Sequence, residues 1–148
     1  MSGILNISDA ASIGLHAMAV MATQPDHRYS STKLAETLGA PEQHLRKVLQ
    51  RLARADLVVS ERGPSGGYRL TGDPKRTSLL EIYQAIDGRL AQSDCLFGRP
   101  LCPGGDCIFS PLVSTIRTMV SEHLSNTTLA VLAQRIRSKI DETTDHSN

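Results

Sequence analysis

Residues 30–60, "SSTKLAETLGAPEQHLRKVLQRLARADLVVS", decide the fold, because they predict two helices joined by a tight turn. Ser31 suits the N-cap of the first helix, and Gly39 suits the left-handed residue that ends it. Pro41 suits the first position of the second helix, where its missing N–H costs nothing. Apolar residues repeat at helical spacing on one face of each helix, namely Leu34, Ala35 and Leu38, then Leu45, Val48, Leu49 and Leu52. The stretch therefore predicts a helix-turn-helix.

The segment that follows, "DLVVSERGPSGGYRLTG" at residues 56–72, predicts a β-hairpin. Residues 57–60 and 68–70 are expected to form the strands, and the "GPSGG" between them is rich in residues that accept positive φ. A hairpin directly after a helix-turn-helix is a wing.

Helices are also predicted on both sides of this unit. The apolar spacing of "ISDAASIGLHAMAVMA" predicts a well-buried helix near residues 8–23. In "TSLLEIYQAIDG", Ser78 and Glu81 match a capping box, so a further helix is expected to begin there.

The C-terminal part contains a cysteine loop, spanning roughly residues 88–109, and two more predicted helices. Ser110 and Pro111 suit the N-cap and N1 positions of a longer helix through Leu124, and a short helix covers about residues 128–140. Residues 141–148 are expected to be a disordered tail. The predicted fold class is mostly α with a small β-wing.

Composition and charge favour one compact domain that binds a polyanion. The chain has 148 residues, 40% of them apolar and few aromatic, which suits packed helices with an aliphatic core. Residues 1–76 carry ten Lys or Arg against seven Asp or Glu, whereas residues 77–148 carry six against eight. No secretory signal and no apolar run of about 18 residues is found, so we expect a cytoplasmic protein without a membrane partner.

The outer face of the second helix carries residues suited to DNA. Glutamine bonds adenine edges and arginine bonds guanine edges bidentately, and lysine and arginine anchor phosphates. The residues expected to read bases are Gln43, His44, Arg46 and Lys47; those expected to position the protein are Ser31, Thr32 and Arg51. Arg62, at the hairpin tip, is placed to enter a minor groove. The alternative, an ordinary solvated helix face, is weakened by the order of cap, turn, helix and wing.

The wing "RGPSGGYRL", the "EIYQAIDG" after it, the cysteine cluster and the closing "LSNTTLAVL" together resemble the Rrf2 family of winged helix-turn-helix transcription regulators. The similarity covers about residues 7–135, and the family includes iron–sulfur, nitric-oxide-sensing and iron-responsive regulators. It implies a homodimer on a palindromic double-stranded DNA operator. Arg46 stands where a cluster-binding member carries an acidic residue that discriminates between operator classes, so that member's specificity does not transfer.

The resemblance also assigns the helix from Ser110 onward to dimerisation. Its apolar residues at heptad-like spacing are Leu112, Ile116, Met119, Val120 and Leu124. The domain organisation that follows is a winged helix-turn-helix domain at 1–76, a cysteine loop with dimerisation helices at 77–140, and the tail at 141–148.

All three cysteines of the chain lie in "CLFGRPLCPGGDC", residues 95–107. Soft thiolates suit iron–sulfur clusters, and in the reducing cytoplasm clustered cysteines are metal-binding or reactive rather than structural disulfides. The resemblance implies that Cys95, Cys102 and Cys107 hold a 2Fe–2S or 4Fe–4S cluster.

A fourth ligand for that cluster has to come from another residue type. The histidine that follows the last cysteine in some relatives is absent here, because Ile108 occupies that place. His16 matches a position where a redox-sensing member supplies a histidine, although a hydrogen-bonded core histidine is the plainer interpretation. Asp9 is the nearest carboxylate, about one turn before the family's aspartate position, which Ser12 occupies.

Other interpretations of the cysteine loop remain open. Zinc accepts three cysteines and a histidine, a cluster-free thiol switch needs only two cysteines, and packing alone fits a Gly/Pro-rich loop poorly.

The function predicted is a homodimeric regulator, interpreted as a repressor, whose cluster senses nitric oxide, redox state or iron. An electron carrier or enzyme is the alternative class, but no catalytic constellation or small-molecule substrate site is found, and the chain is predicted not to be an enzyme. An adaptor sequestered by a metabolic enzyme is a third alternative.

Overall fold

The computed structural model describes residues 7–90, 95–96, 101–102 and 107–145, with side chains as far as residue 138. The helices are α1 (Asp9–Ala22), α2 (Ser31–Leu38), α3 (Glu42–Arg54), α4 (Leu79–Asp87), α5 (Ser110–Asn126) and α6 (Leu129–Asp145). The strands are β1 (Val58–Glu61) and β2 (Gly67–Leu70), which form a two-stranded sheet. The predicted fold class, mostly α with a small β-wing, is confirmed.

Helix α1 lies at the centre of the hydrophobic core and packs against α3, α4 and α6. Its Gly14 is buried, and a Cβ added there would overlap with Cδ1 of Ile86 and lie 3.1 Å from Cγ1 of Val48. The missing side chain therefore allows α1 to approach both α3 and α4 closely.

The helix-turn-helix forms as predicted, with helix starts displaced by one residue. Ser30, not Ser31, is the N-cap of α2, and its side chain accepts a hydrogen bond from the backbone N–H of Lys33. Gly39 ends α2 with φ 61° and ψ 28°, the left-handed conformation that glycine adopts without steric cost. Pro41 is the N-cap of α3 rather than its first residue.

The wing is an antiparallel hairpin in which Val58 pairs with Leu70 and Glu61 with Gly67. Gly67 thus belongs to β2 and not to the turn, where the sequence placed it. Tyr29 adds a bridge to the outer side of β2, with two backbone hydrogen bonds to Tyr68 of 2.8 and 2.9 Å. This bridge ties the wing to the segment just before α2.

Helix α4 begins with the predicted capping box: the Ser78 side chain accepts from the Glu81 backbone, and the Glu81 carboxylate accepts from the Ser78 backbone. Its last residue, Asp87, accepts from the backbone N–H of Ser8 at 3.0 Å and from its hydroxyl at 2.5 Å. The end of α4 is therefore fastened to the start of α1.

The two C-terminal helices are longer than predicted. Helix α5 begins at Ser110 with Phe109 as N-cap, so that neither Ser110 nor Pro111 holds its predicted position, and it ends at Asn126. Helix α6 continues to Asp145, which corrects the tail predicted from residue 141; residues 146–148 lie outside the described part. Leu124 and Leu129 join residues of α1 to α4 in one core, and the domain division remains a prediction. In the described residues, no helix has the length and apolarity to cross a membrane.

Candidate nucleic-acid interface

The outer face of α3 presents an exposed polar surface opposite the buried Leu45, Val48, Leu49 and Leu52. Gln43, Lys47, Gln50 and Arg54 are exposed, and His44 is half-buried. Since leucines and valine fix the inner face of α3, the side chains predicted to read bases are held together on the solvent side.

Arg46 lies on the same face but is engaged by Glu42, one helical turn before it. Oε1 of Glu42 accepts from Nη2 of Arg46 at 2.7 Å and from Nε at 3.0 Å. The hydroxyls of Ser31 and Thr32 donate to the same oxygen at 3.1 and 3.0 Å. The hydrogen bonds from Arg46, then those from Thr32 and Ser31, lower the pKa of Glu42, so this carboxylate is ionised at neutral pH.

This network links both helices of the helix-turn-helix, and we call Ser31, Thr32, Glu42 and Arg46 the Glu42 network. Three of its members were predicted as DNA contacts, whereas the acceptor that joins them was missed. The spacing of glutamate and arginine four residues apart on one helix was the signal that could have found it.

Arg51 is bound within the protein. Its Nη1 donates to the carbonyl oxygen of Ile86 at 3.1 Å, in the last turn of α4. This contact places a cation beside the carbonyl end of a helix, where the helix dipole favours positive charge. The predicted phosphate contact of Arg51 can use only its remaining N–H groups.

The wing places Arg62 at its exposed tip, as expected. Glu61, the residue before Arg62, ends β1 beside the turn, and its carboxylate contacts Arg28 at 2.7 Å and Arg69 at 3.5 Å. Arg28 was not singled out from the sequence. Both arginines help to fix the orientation of the hairpin, although exposed ion pairs of this kind add only ~0–1 kcal/mol of stability.

The cysteines are free thiols, with Cys102 exposed and Cys95 and Cys107 half-buried. A side-chain hydrogen bond between Cys102 and Cys107 raises the pKa of Cys102, and the charge of Cys107, desolvation and the charge of Cys95 act in the same direction. Cys102 and Cys107 thus interact directly, and thiolates are the donors that iron–sulfur clusters use. Within the ranges described, no three His, Cys, Asp or Glu side chains are arranged to hold a metal ion. Residues 91–94, 97–100 and 103–106 of the predicted loop lie outside those ranges.

The two candidate fourth ligands are both on α1 and both exposed. His16 Nδ1 is 2.7 Å from the carbonyl oxygen of Ser12, so the other ring nitrogen, Nε2, is the one suited to a metal. A histidine that binds a metal commonly donates its second ring N–H to such a carbonyl. His16 is not the core residue that the plainer interpretation expected. Asp9 lies in the first turn of the helix.

Helix α5 exposes part of the face predicted to dimerise. Leu112 and Met119 are 50% and 64% exposed, while Ile116 and Val120 are half-buried. Leu124 is only 7% exposed and packs in the core of the chain, which corrects its place in the predicted set.

Fold and surface define a class: a winged helix-turn-helix protein with an exposed polar face on its second helix and an arginine at the tip of its wing. Residues 7–135 match the model of the Rrf2 family, described as an iron-dependent transcriptional regulator. The chain belongs to the Rrf2 family of transcriptional regulators. It is not an enzyme, as the sequence predicted.

Curated relatives agree with this assignment. A putative HTH-type regulator, BadM of Rhodopseudomonas palustris, is 41% identical over 83 residues, covering 56% of this chain and 53% of BadM. IscR of Sodalis glossinidius is 34% identical over 101 residues, covering 68% of this chain and 61% of IscR. The matched segment thus spans less than two thirds of either relative.

Solved structures share the whole fold. CymR, the global cysteine regulator of B. subtilis, superposes with a TM-score of 0.76 at 28% identity, covering 88% of this chain and 98% of CymR. An oxidised form of Staphylococcus aureus CymR superposes with a TM-score of 0.70 at 27% identity, covering 87% of this chain and 96% of that CymR. IscR of T. potens superposes with a TM-score of 0.71 at 22% identity, covering 89% of this chain and 88% of that IscR. This is a likeness of fold alone.

Proposed function

We propose that the chain is a homodimeric, cytoplasmic repressor whose binding to a palindromic DNA operator is controlled by an iron–sulfur cluster on Cys95, Cys102 and Cys107. The observation that carries the sensing half is the side-chain interaction of Cys102 with Cys107, within residues 95–107, which contain all three cysteines of the chain. His16 is the fourth ligand of this proposal, and Asp9 is the weaker candidate because its position departs from that of relatives.

The DNA-binding half rests on α3 and the wing. Gln43, His44, Arg46 and Lys47 are on the outer face of α3 and read base edges, and Ser31 and Thr32 stand at the first turn of α2 as positioning groups. Arg62 at the wing tip enters a minor groove. Two such units, related by the dimer axis, meet two half-sites.

The dimer interface uses α5. Leu112 and Met119 leave large apolar side chains exposed, and Ile116 and Val120 lie half-buried beside them. Each Å² of apolar surface that is removed from water contributes about 25 cal/mol, so burial of this face favours pairing of two copies.

The cluster, when bound, supplies an iron centre that reacts with nitric oxide and oxidants. The residues of the chain supply the ligands and the connection to DNA. The cysteine segment joins the end of α4 to the start of α5, and Arg51 links that end of α4 to the reading helix. A change in the segment's conformation therefore acts on the helix that reads the operator.

Purification without oxygen tests the cluster. We expect brown protein with stoichiometric iron and sulfide, visible absorbance that nitric oxide bleaches, and DNA titration curves that differ between loaded and cluster-free protein. Cys102→Ala is expected to abolish the chromophore, whereas Arg46→Ala weakens DNA binding and leaves the chromophore intact. Colourless anaerobic protein with stoichiometric zinc would contradict the proposal, as would superimposable titration curves.

A cluster-free thiol switch is the second candidate, favoured by the contact of Cys102 with Cys107. In that reaction hydrogen peroxide takes two electrons and two protons from the two thiols, forming one disulfide and two waters. Mass spectrometry after alkylation distinguishes the candidates. A switch survives Cys95→Ser and is lost in Cys102→Ser, whereas loss of the chromophore in both variants supports a cluster.

A further inference from the structure

The Glu42 network holds Arg46 by one edge and leaves the other edge available. A guanidinium has five N–H donors in a planar fork. Glu42 Oε1 and Ser31 Oγ engage the edge formed by Nε and Nη2, with Ser31 accepting from Nε at 3.2 Å. The edge formed by Nη1 and the second hydrogen of Nη2 is the pair that guanine O6 and N7 accept in the major groove.

The carboxylate is itself fixed from the neighbouring helix. Ser31 and Thr32, in the first turn of α2, both donate to Oε1 of Glu42, which also receives Arg46 from its own helix. One oxygen therefore accepts from three side chains on two helices. The Glu42 side chain is 34% exposed and that of Arg46 58%, so the arginine projects further into solvent than the group that holds it.

We propose that Glu42 is a positioning residue that presents Arg46 to a guanine of the operator and withholds it from isolated phosphates. This inference rests on the proposed DNA-binding function and deepens it. An arginine aligned before binding loses less conformational freedom on contact than a mobile one. The negative charge of Glu42 also repels DNA phosphates, whose contacts carry no sequence information. The same charge is compatible with the neutral edge of guanine.

The consequence is a division between affinity and specificity. Glu42 lowers the affinity for any DNA and raises the preference for guanine at one base pair. A variant that loses the carboxylate charge frees Arg46, and a free arginine adds a phosphate contact that is insensitive to sequence.

The test uses duplexes recovered from a random-sequence library by wild-type protein, with a scrambled duplex of the same length as the non-specific probe. Arg46→Ala first identifies the base pair that Arg46 reads. We expect Glu42→Gln to lose about tenfold of the discrimination for guanine at that base pair and to keep the rest of the consensus. The same variant binds the scrambled duplex more tightly, and its log–log dependence on salt steepens by about one.

Two further variants distinguish the positioning of Arg46 from a general effect of losing a negative charge and from misfolding. Glu36→Gln removes a glutamate from α2 that pairs with Lys33 at 3.7 Å and has no contact with Arg46, so it is expected to leave the base preference unchanged. Thr32→Ala keeps both charges and removes one donor to Glu42, so a smaller loss at the same base pair is expected.

Each result decides a separate question. A wild-type protein that recovers no consensus would contradict the proposed function itself. A wild-type consensus that Glu42→Gln leaves unchanged would overturn only the role of Glu42. Loss of preference at a different base pair would overturn it too, because Glu42 would then be reading a base directly.

Discussion

Combining Gly14→Ala with Ile86→Val adds one methyl group at residue 14 and removes one at residue 86, so the core volume changes little. Comparing the single variants with the double variant tests how closely α1 approaches α4. A Cβ at residue 14 would overlap with Cδ1 of Ile86, a residue that is 7% exposed and in the core. Gly14→Ala alone therefore forces Ile86 out of its position. Ile86→Val alone deletes a methyl and leaves a small void. Together they place one methyl where another was.

The magnitudes follow from opposing effects. Gly14→Ala gains about 1 kcal/mol of helix propensity but incurs ~1–3 kcal/mol of overpacking, so a net loss of about 1 kcal/mol is expected. Ile86→Val costs about 1 kcal/mol. In the double variant the clash with Ile86 is gone and the propensity gain remains, while the 3.1 Å approach to Cγ1 of Val48 still requires a small shift, so its stability is expected to match that of the wild type. The coupling energy between the sites is therefore about 2 kcal/mol.

Urea denaturation followed by circular dichroism gives the four free energies of unfolding, with all proteins at one concentration because dimerisation shifts apparent stability. The expected order places the wild type and the double variant above both single variants. If the two single effects were simply additive, the close approach of α1 to α4 would not be what requires glycine at position 14.

Three further predictions concern the wing, α4 and α5. Gly67→Ala is expected to destabilise the fold by about 1–3 kcal/mol and weaken DNA binding in fluorescence anisotropy, because its φ is 149° and a Cβ would lie 2.6 Å from the carbonyl oxygen of Tyr29. Ser78→Ala breaks the capping box and is expected to cost about 1 kcal/mol in urea denaturation. Met119→Asp puts a charge on the exposed face of α5 and is expected to weaken the proposed dimer by tenfold or more in analytical ultracentrifugation.

Each of these outcomes has a defined contradiction. Wild-type stability of Gly67→Ala would mean that the wing does not depend on its close approach to Tyr29. An unchanged urea midpoint for Ser78→Ala would show that the cap contributes nothing to α4. For the dimer, Val131→Asp is the matched control, since Val131 is 47% exposed but lies on α6. Equal dissociation by both aspartates would argue against α5 as the interface.

The fold could be predicted largely from local patterns. Apolar spacing, the glycine at position 39 and the capping box at Ser78 each act within a few residues, so the sequence states them directly. At the helix starts the errors are one-residue displacements, as with Ser30 and Ser31, which stand side by side. The extension of α6 to Asp145 was missed because polar composition was taken as the end of the helix.

The roles of the candidate site residues remain predictions, and their contacts within the protein could not be read from the sequence. Sequence shows that Arg46 and Arg51 are cations on an outer helical face, and this much is correct. It does not show that Glu42 holds one of them and that the carbonyl of Ile86 holds the other, because those partners depend on how helices pack. Leu124 fits the heptad spacing, yet the packing of α5 on α4 turns it into the core.

The hydrogen bond from Arg51 to the carbonyl of Ile86 connects the end of α4 to α3, and so bears on how a conformational change is transmitted between them. Ile86 lies immediately before Asp87, where α4 ends, and Asp87 holds the start of α1 through Ser8. Three helices thus meet at one corner, directly upstream of the segment that carries the cysteines. A displacement arriving at that corner reaches α3 directly, through the Arg51 guanidinium and through the packing of α3 on α4.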